Sequence, residues 1–198
     1  MYIPVVFEAQ KTCSMSGARR FNLHSDPAAI ERIDVAVRHP PMRAFLANVN
    51  ASDSIFSTFG CKAWSTTQAG SPQPHMFASR TDIIFLQETT NFGKGPHDGL
   101  ARRLKELLEH ETGETFQVEL RISAIDFGED EGFCLRVVLY ARGTTPEQAE
   151  ARWGLGLARL QQALLFVARE LRHNVEPGNR TKNEERVSPR TNAGMPGM

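Results

Sequence analysis

The residues best placed to do chemistry lie in one stretch, Glu88 to Asp98, directly after the apolar run Asp82-Ile83-Ile84-Phe85-Leu86. Glu88, His97 and Asp98 are titratable groups of the kind acid/base work needs, and Gly93-Lys94-Gly95 offers backbone amides and an ammonium to an anion. A continuous apolar run is what a strand shows when both faces are covered, and open α/β sheets bind ligands beyond the ends of such strands. The expectation is a candidate catalytic set of Glu88, His97 and Asp98, with Gly93, Lys94 and Gly95 as a candidate ligand-binding turn. The turn is not a P-loop, because the Gly-x-x-x-x-Gly-Lys-[Ser/Thr] spacing is absent and Pro96 has no N–H to offer. Glycines at such turns ordinarily serve backbone geometry, and on that reading the charged groups simply diverge into solvent.

Other chemistries lack their residues. The histidines, His24, His39, His75, His97, His110 and His173, show no paired metal spacing. Cys13, Cys61 and Cys134 are widely separated with no Cys-x-x-Cys pair, so neither a disulfide framework nor a zinc site is indicated. Cys134 falls in an apolar strand pattern and reads as core, whereas Lys11 would lower the pKa of Cys13 if both were exposed. There is no Gly-x-Ser-x-Gly elbow, and Glu129-Asp130-Glu131 is too short for a calcium loop. The segment Asp82 to Glu88 resembles the strand of the endonuclease/exonuclease/phosphatase family that ends in a metal-binding glutamate, with Asn48 as an upstream asparagine. That resemblance implies Glu88 as a ligand of a divalent cation, but the family's Ser-Asp-His and Gly-Asp-x-Asn segments are missing. No metal and no cofactor are therefore expected.

The elements that must position these groups become clearer along the chain. Ile3 to Phe7 reads as a short buried strand. Ser25-Asp26-Pro27 is a helix start, with Ser25 or Asp26 as cap. Ile30, Ile33 and Val37 then follow helical spacing, although Ile33, Val35 and Val37 also alternate as a strand would; the start signal favours helix. Pro40-Pro41 ends that element, and Met42, Phe45, Leu46 and Val49 supply one face of a second short helix. Ile55 to Trp64 leans toward strand, and the Ser, Thr, Gly and Pro residues around it imply a long loop over about residues 65–80.

The second half reads as strand, helix, strand, strand, helix. Asp82 to Leu86 is the central strand, and Asp98 caps a helix carrying Leu100, Leu104, Leu107 and Leu108 on one side. Phe116, Val118, Leu120 and Ile122 alternate with polar residues, as do Phe133, Leu135, Val137 and Leu139. The acidic turn between them, bracketed by Gly128 and Gly132, makes an antiparallel hairpin. Thr145-Pro146-Glu147-Gln148 opens the last helix, and Trp153, Leu157, Leu160, Leu164, Val167 and Leu171 form its stripe. The expected fold class is α+β, an antiparallel or mixed sheet with helices packed on one face and, in the second half, a ferredoxin-like connectivity as an option. Residues 1–172 are expected to form a single α+β domain, and 173–198 a disordered polar tail.

Composition bounds the partners. The chain has 198 residues, a hydrophobic share of 40%, and 23 basic against 23 acidic side chains. No apolar run is long enough to span a bilayer, and Glu8 and Gln10 interrupt any secretory signal, so a cytoplasmic protein without a membrane is expected. Net neutrality makes nucleic acid an unlikely partner, and the basic residues of the tail alternate with glutamates and lack aromatics. On the last helix Leu155 and Phe166 project opposite to the main stripe, among Arg159 and Gln162, which marks a candidate interface. The favoured expectation is a non-catalytic protein-interaction or assembly module, homo-oligomeric through that helix. Its rival is a small enzyme or anion-binding protein with its site at the end of the central strand, which requires Glu88, Lys94, His97 and Asp98 to converge on one pocket.

Overall fold

A computed structural model of the chain describes residues 5–7, 22–109, 115–127 and 130–175. The expectations for Cys13 and for the tail beyond residue 175 lie outside the described residues. The elements run β1 (Val5–Phe7), a 3-10 turn (Pro27–Arg32), α1 (Asp34–Arg38), α2 (Pro40–Val49), β2 (Phe56–Thr67) and β3 (His75–Phe85). After a second 3-10 turn (Glu88–Phe92) come α3 (Lys94–Glu109), β4 (Gln117–Asp126), β5 (Glu131–Gly143) and α4 (Pro146–Val175).

The fold is α+β. One five-stranded sheet has the order β1-β4-β5-β3-β2. β1 runs parallel to β4, and all other neighbours are antiparallel, so the sheet is mixed. β3 and β4 are parallel to each other with β5 inserted between them, and α3 makes the crossover: this is the split β-α-β of ferredoxin-like folds. In such a fold the strand on the far side of β3 would come last in the chain. Here β2, which precedes β3, takes that place.

Segment 27–49 is helical rather than stranded, although in three pieces. Pro40 and Pro41 both stop α1, by holding His39 extended at φ −127°, and open α2 within its first turn, where a missing N–H costs nothing. Asp26 does not cap its turn through its side chain; the carboxylate instead pairs with Arg32 at 2.8 Å. The expected long loop is confined to residues 68–74, because β2 and β3 zip together from Phe56↔Phe85 to Thr67↔His75. Glycine and proline confined to the hairpin end break no ladder bond farther in. α3 begins four residues before the expected cap, so Asp98 lies inside it and Pro96 occupies its first turn.

Strand alternation gives the sheet two different faces. Ile83, Leu135, Val137, Leu139, Val118, Leu120 and Ile122 point to the helix side and join Phe45, Leu46, Leu104, Trp153, Leu157, Leu160 and Leu164 in the main core. On the other side Ile84, Ile125 and Cys134 form a small second cluster beneath Phe59 and Phe127. Leu171, expected in the α4 stripe, is instead exposed near the helix end. The Thr145 hydroxyl accepts from the Gln148 amide at 3.2 Å, while Gln148 Oε1 reaches back to the Thr144 amide at 2.7 Å, one residue earlier than an ordinary capping box.

The turn from β5 into α4 demands a close approach. A Cβ on Gly143 would lie 2.6 Å from the Ala149 amide nitrogen and 2.9 Å from the Thr145 carbonyl oxygen, both backbone atoms that cannot swing aside. Gly143→Ala is therefore expected to lower stability by about 2 kcal/mol, read as a drop in the urea midpoint without a change in slope. An unchanged midpoint would show that this junction has slack.

Candidate functional site

The chain leaves β3 at Phe85 and is clamped by a single side chain. Asn91 is fully buried; its Oδ1 accepts from the Phe85 amide at 2.8 Å and its Nδ2 donates to the Phe85 carbonyl at 2.9 Å. The side chain thus takes the place of a neighbouring strand for one residue and turns Glu88–Phe92 back across the strand end. Beneath that turn is an open cavity of about 370 Å³, lined by Asn22, Ser57, Thr58, Ile84, Leu86, Glu88 and Phe127 among others. Asn50 braces its wall, accepting from Ser57 Oγ at 3.1 Å and from the Thr58 amide at 2.9 Å.

Of the groups singled out in the sequence, Glu88 alone lines this cavity. Gly93 lies under the ring of Pro96 at the helix entrance, and Lys94 and Gly95 are exposed in the first turn of α3. Asp98 pairs with Arg102 one turn along, at 2.7 Å. His97 points the other way, into the core, where it is fully buried with its ring edge-on to Phe85 at 5.1 Å. Neither of its ring nitrogens has a hydrogen-bond partner among the described residues. Burial alone pushes its pKa down from 6.5 to about 4, so the ring is neutral near pH 7.

Among the described residues no group of three or more His, Cys, Asp or Glu side chains is placed to hold a metal ion. Cys61 is half-buried on β2 and its thiol is pushed up to about 11, first by burial and then by the nearby Asp82 carboxylate, which leaves it a poor nucleophile. The cavity's hydroxyl and amide residues, Ser57, Thr58 and Asn91, had no sequence signal. They come together only because the β2–β3 register sets Phe56 opposite Phe85.

The other candidate surface is on α4. Leu155 is 60% exposed and Phe166 45%, the largest such values among the large hydrophobic residues described in that helix. They lie eleven residues apart, within about 20° of each other around the axis, with Arg159 and Gln162 between them joined by a 3.1 Å hydrogen bond. The guanidinium of Arg103 on α3 stands 5.6 Å from the Phe166 ring and is held by Glu170 at 2.7 and 2.9 Å. No helix among the described residues is long and apolar enough to cross a membrane. Comparison with protein-family models, curated proteins and solved structures gives no match.

His97 makes stability pH-dependent, with a defined sign. Because its folded pKa lies below the unfolded value, the unfolded chain takes up a proton that the native state refuses. The contribution is intact above pH 6.5 and is lost as pH falls toward 4, by on the order of 3 kcal/mol. Urea titrations across that window should show a shallower decline for His97→Leu than for the wild type. Equal slopes would mean that the ring is not kept dry.

Proposed function

We propose that the protein is a non-catalytic interaction or assembly module of the cytoplasm that self-associates through the outer face of α4. The observation that carries this reading is the pair of large apolar side chains, Leu155 and Phe166, turned away from the core on a helix whose other side packs into it. Exposure on this scale costs apolar hydration that a second surface would relieve, about 1.5–3 kcal/mol for each side chain fully buried. A two-fold axis crossing α4 between the two residues would set Leu155 of one copy against Phe166 of the other, since such an interface is self-complementary. The Arg103 guanidinium, held by Glu170, already covers one side of the Phe166 ring from α3, so the ring would enter such an interface in a fixed orientation.

The edge of the sheet is the weaker contact. Among the described residues β2 has a neighbour on one side only, but it carries an irregularity at Thr58/Gly60 and the exposed Lys62, both features by which edge strands resist pairing. The rival enzyme reading loses its main support, because Lys94, His97 and Asp98 do not meet Glu88 at the cavity.

The test is solution mass by light scattering on a size-exclusion column. Wild type is expected to elute as an oligomer, and a Leu155→Glu, Phe166→Glu double variant as a folded monomer with unchanged far-ultraviolet circular dichroism. A wild type that stays monomeric at high concentration would overturn self-association through α4.

A further inference from the structure

The face of the sheet turned away from the helices gathers side chains that the sequence scatters over four strands. Register and alternation place Lys62, Trp64 and Thr66 of β2 beside Arg80, Ala78 and Met76 of β3. The same rows continue into Val138, Tyr140 and Arg142 of β5, with Arg136 next to Asp82. On β4, Arg121 lies opposite Arg136. Among the described residues the face therefore carries Lys62, Arg80, Arg121, Arg136 and Arg142 against Asp82 and Glu119, a local surplus of positive charge in a chain that is neutral overall. The two carboxylates are already taken: Asp82 by Arg136 at 2.7 and 3.3 Å, and Glu119 by Arg121 at 2.6 Å. Lys62 is exposed, and the guanidinium of Arg80 approaches Asp82 only to 3.7 Å.

Two half-buried aromatic residues stand in the same field. Trp64 and Tyr140 flank Ala78, itself buried, and stand on strands about 10 Å apart. An open sheet surface with separated aromatic side chains and interleaved cations is complementary to a flexible polyanion that also offers flat rings. Phosphates pair with the cations and bases stack on the aromatics. A folded acidic protein offers its charges at fixed spacing rather than along a flexible chain, and a duplex hides its rings within its own stack.

We infer that this face binds single-stranded nucleic acid, with Trp64 and Tyr140 as stacking platforms and Lys62, Arg80 and Arg142 as phosphate contacts. The site lies on the opposite side of the sheet from α4, so it does not depend on the self-association proposed above.

The experiment uses the full chain and fluorescein-labelled oligothymidylate and oligouridylate of about 12 nucleotides, a length matched to one such platform. Anisotropy titrations are expected to show saturable binding that weakens linearly in log salt. Trp64 fluorescence should be quenched on binding, because the other tryptophan, Trp153, is fully buried. Lys62→Glu with Arg80→Glu should weaken binding by about tenfold or more and flatten the salt slope. Trp64→Ala with Tyr140→Ala should weaken it by about tenfold and leave the salt slope in place. Circular dichroism shows whether each variant is folded, and a Lys62→Gln single variant, at an exposed position, keeps the test available if a double variant is not. Absence of binding at low salt, affinity unchanged in the folded variants, or equally tight binding of polyglutamate would overturn the inference.

Discussion

The indole of Trp153 is the contact on which the arrangement of layers depends. It is fully buried, and its Nε1 donates to Ser79 Oγ at 2.9 Å, so a helix is joined to the inner strand β3 by a hydrogen bond inside an apolar core. Phe77 lies 4.6 Å from it and His39 5.8 Å, and His39 in turn donates to Glu150 at 2.7 Å. One side chain thus brings together α4, β3 and the entrance to α2. A buried N–H without an acceptor costs about 1–3 kcal/mol, which makes Ser79 as much a part of the constraint as the ring itself. Once Trp153 is seated, the rest of the α4 stripe falls over β3 and β5, and Gly156 allows it: a Cβ there would lie 2.9 Å from Phe116 and 3.0 Å from Leu139.

A second fixed point is the ion pair of Asp82 with Arg136 on the opposite face of the sheet. Both partners are largely buried, so breaking the pair would strand a charge, even though an apolar replacement of both could be as stable. What such a pair adds is register. Asp82 can meet Arg136 only when β3 and β5 are aligned as they are, with Ile83 opposite Leu135 on the helix side. The main core and the ion pair therefore demand the same alignment from two sides of one strand. That agreement fixes the side chains of the open face in rows rather than leaving them to slide.

The sequence is most legible where periodicity and capping chemistry coincide. The Thr145-Pro146 start of α4, the alternation of β4 and β5, and the apolar end of β3 all fall within a residue or a few of their expected bounds. Boundaries fail where a local signal has two meanings. Gly95 and Pro96 read as loop but fit the first turn of α3, where neither needs a helical N–H partner. Residues 65–80 read as loop because Ser, Gly and Pro are poor strand formers alone, whereas pairing along all of β2 overrides that preference outside the hairpin end. The candidate site is less legible still. Proximity in sequence suggests that Glu88, His97 and Asp98 act together, but a helix sends neighbours around its axis, and His97 goes to the core while Asp98 turns to Arg102.

Net charge is a poor guide to the open face for a related reason. Equal totals of acidic and basic residues say nothing about how a pleated sheet will sort them, and the sorting follows from parity within each strand. Lys62 and Trp64 share a face with Arg80 because the irregularity at Thr58/Gly60 sets the register beyond it; without that extra residue the opposite set of β2 would face the open side. The two proposed surfaces are then compatible by geometry. A dimer built across the outer face of α4 would carry its two open sheet faces on the outside, pointing away from each other. Two weak sites on one particle bind a long strand more tightly than either alone, provided the strand can span both. Assembly and a sheet-borne binding face would in that case be parts of one device, the first raising the effective concentration at which the second works.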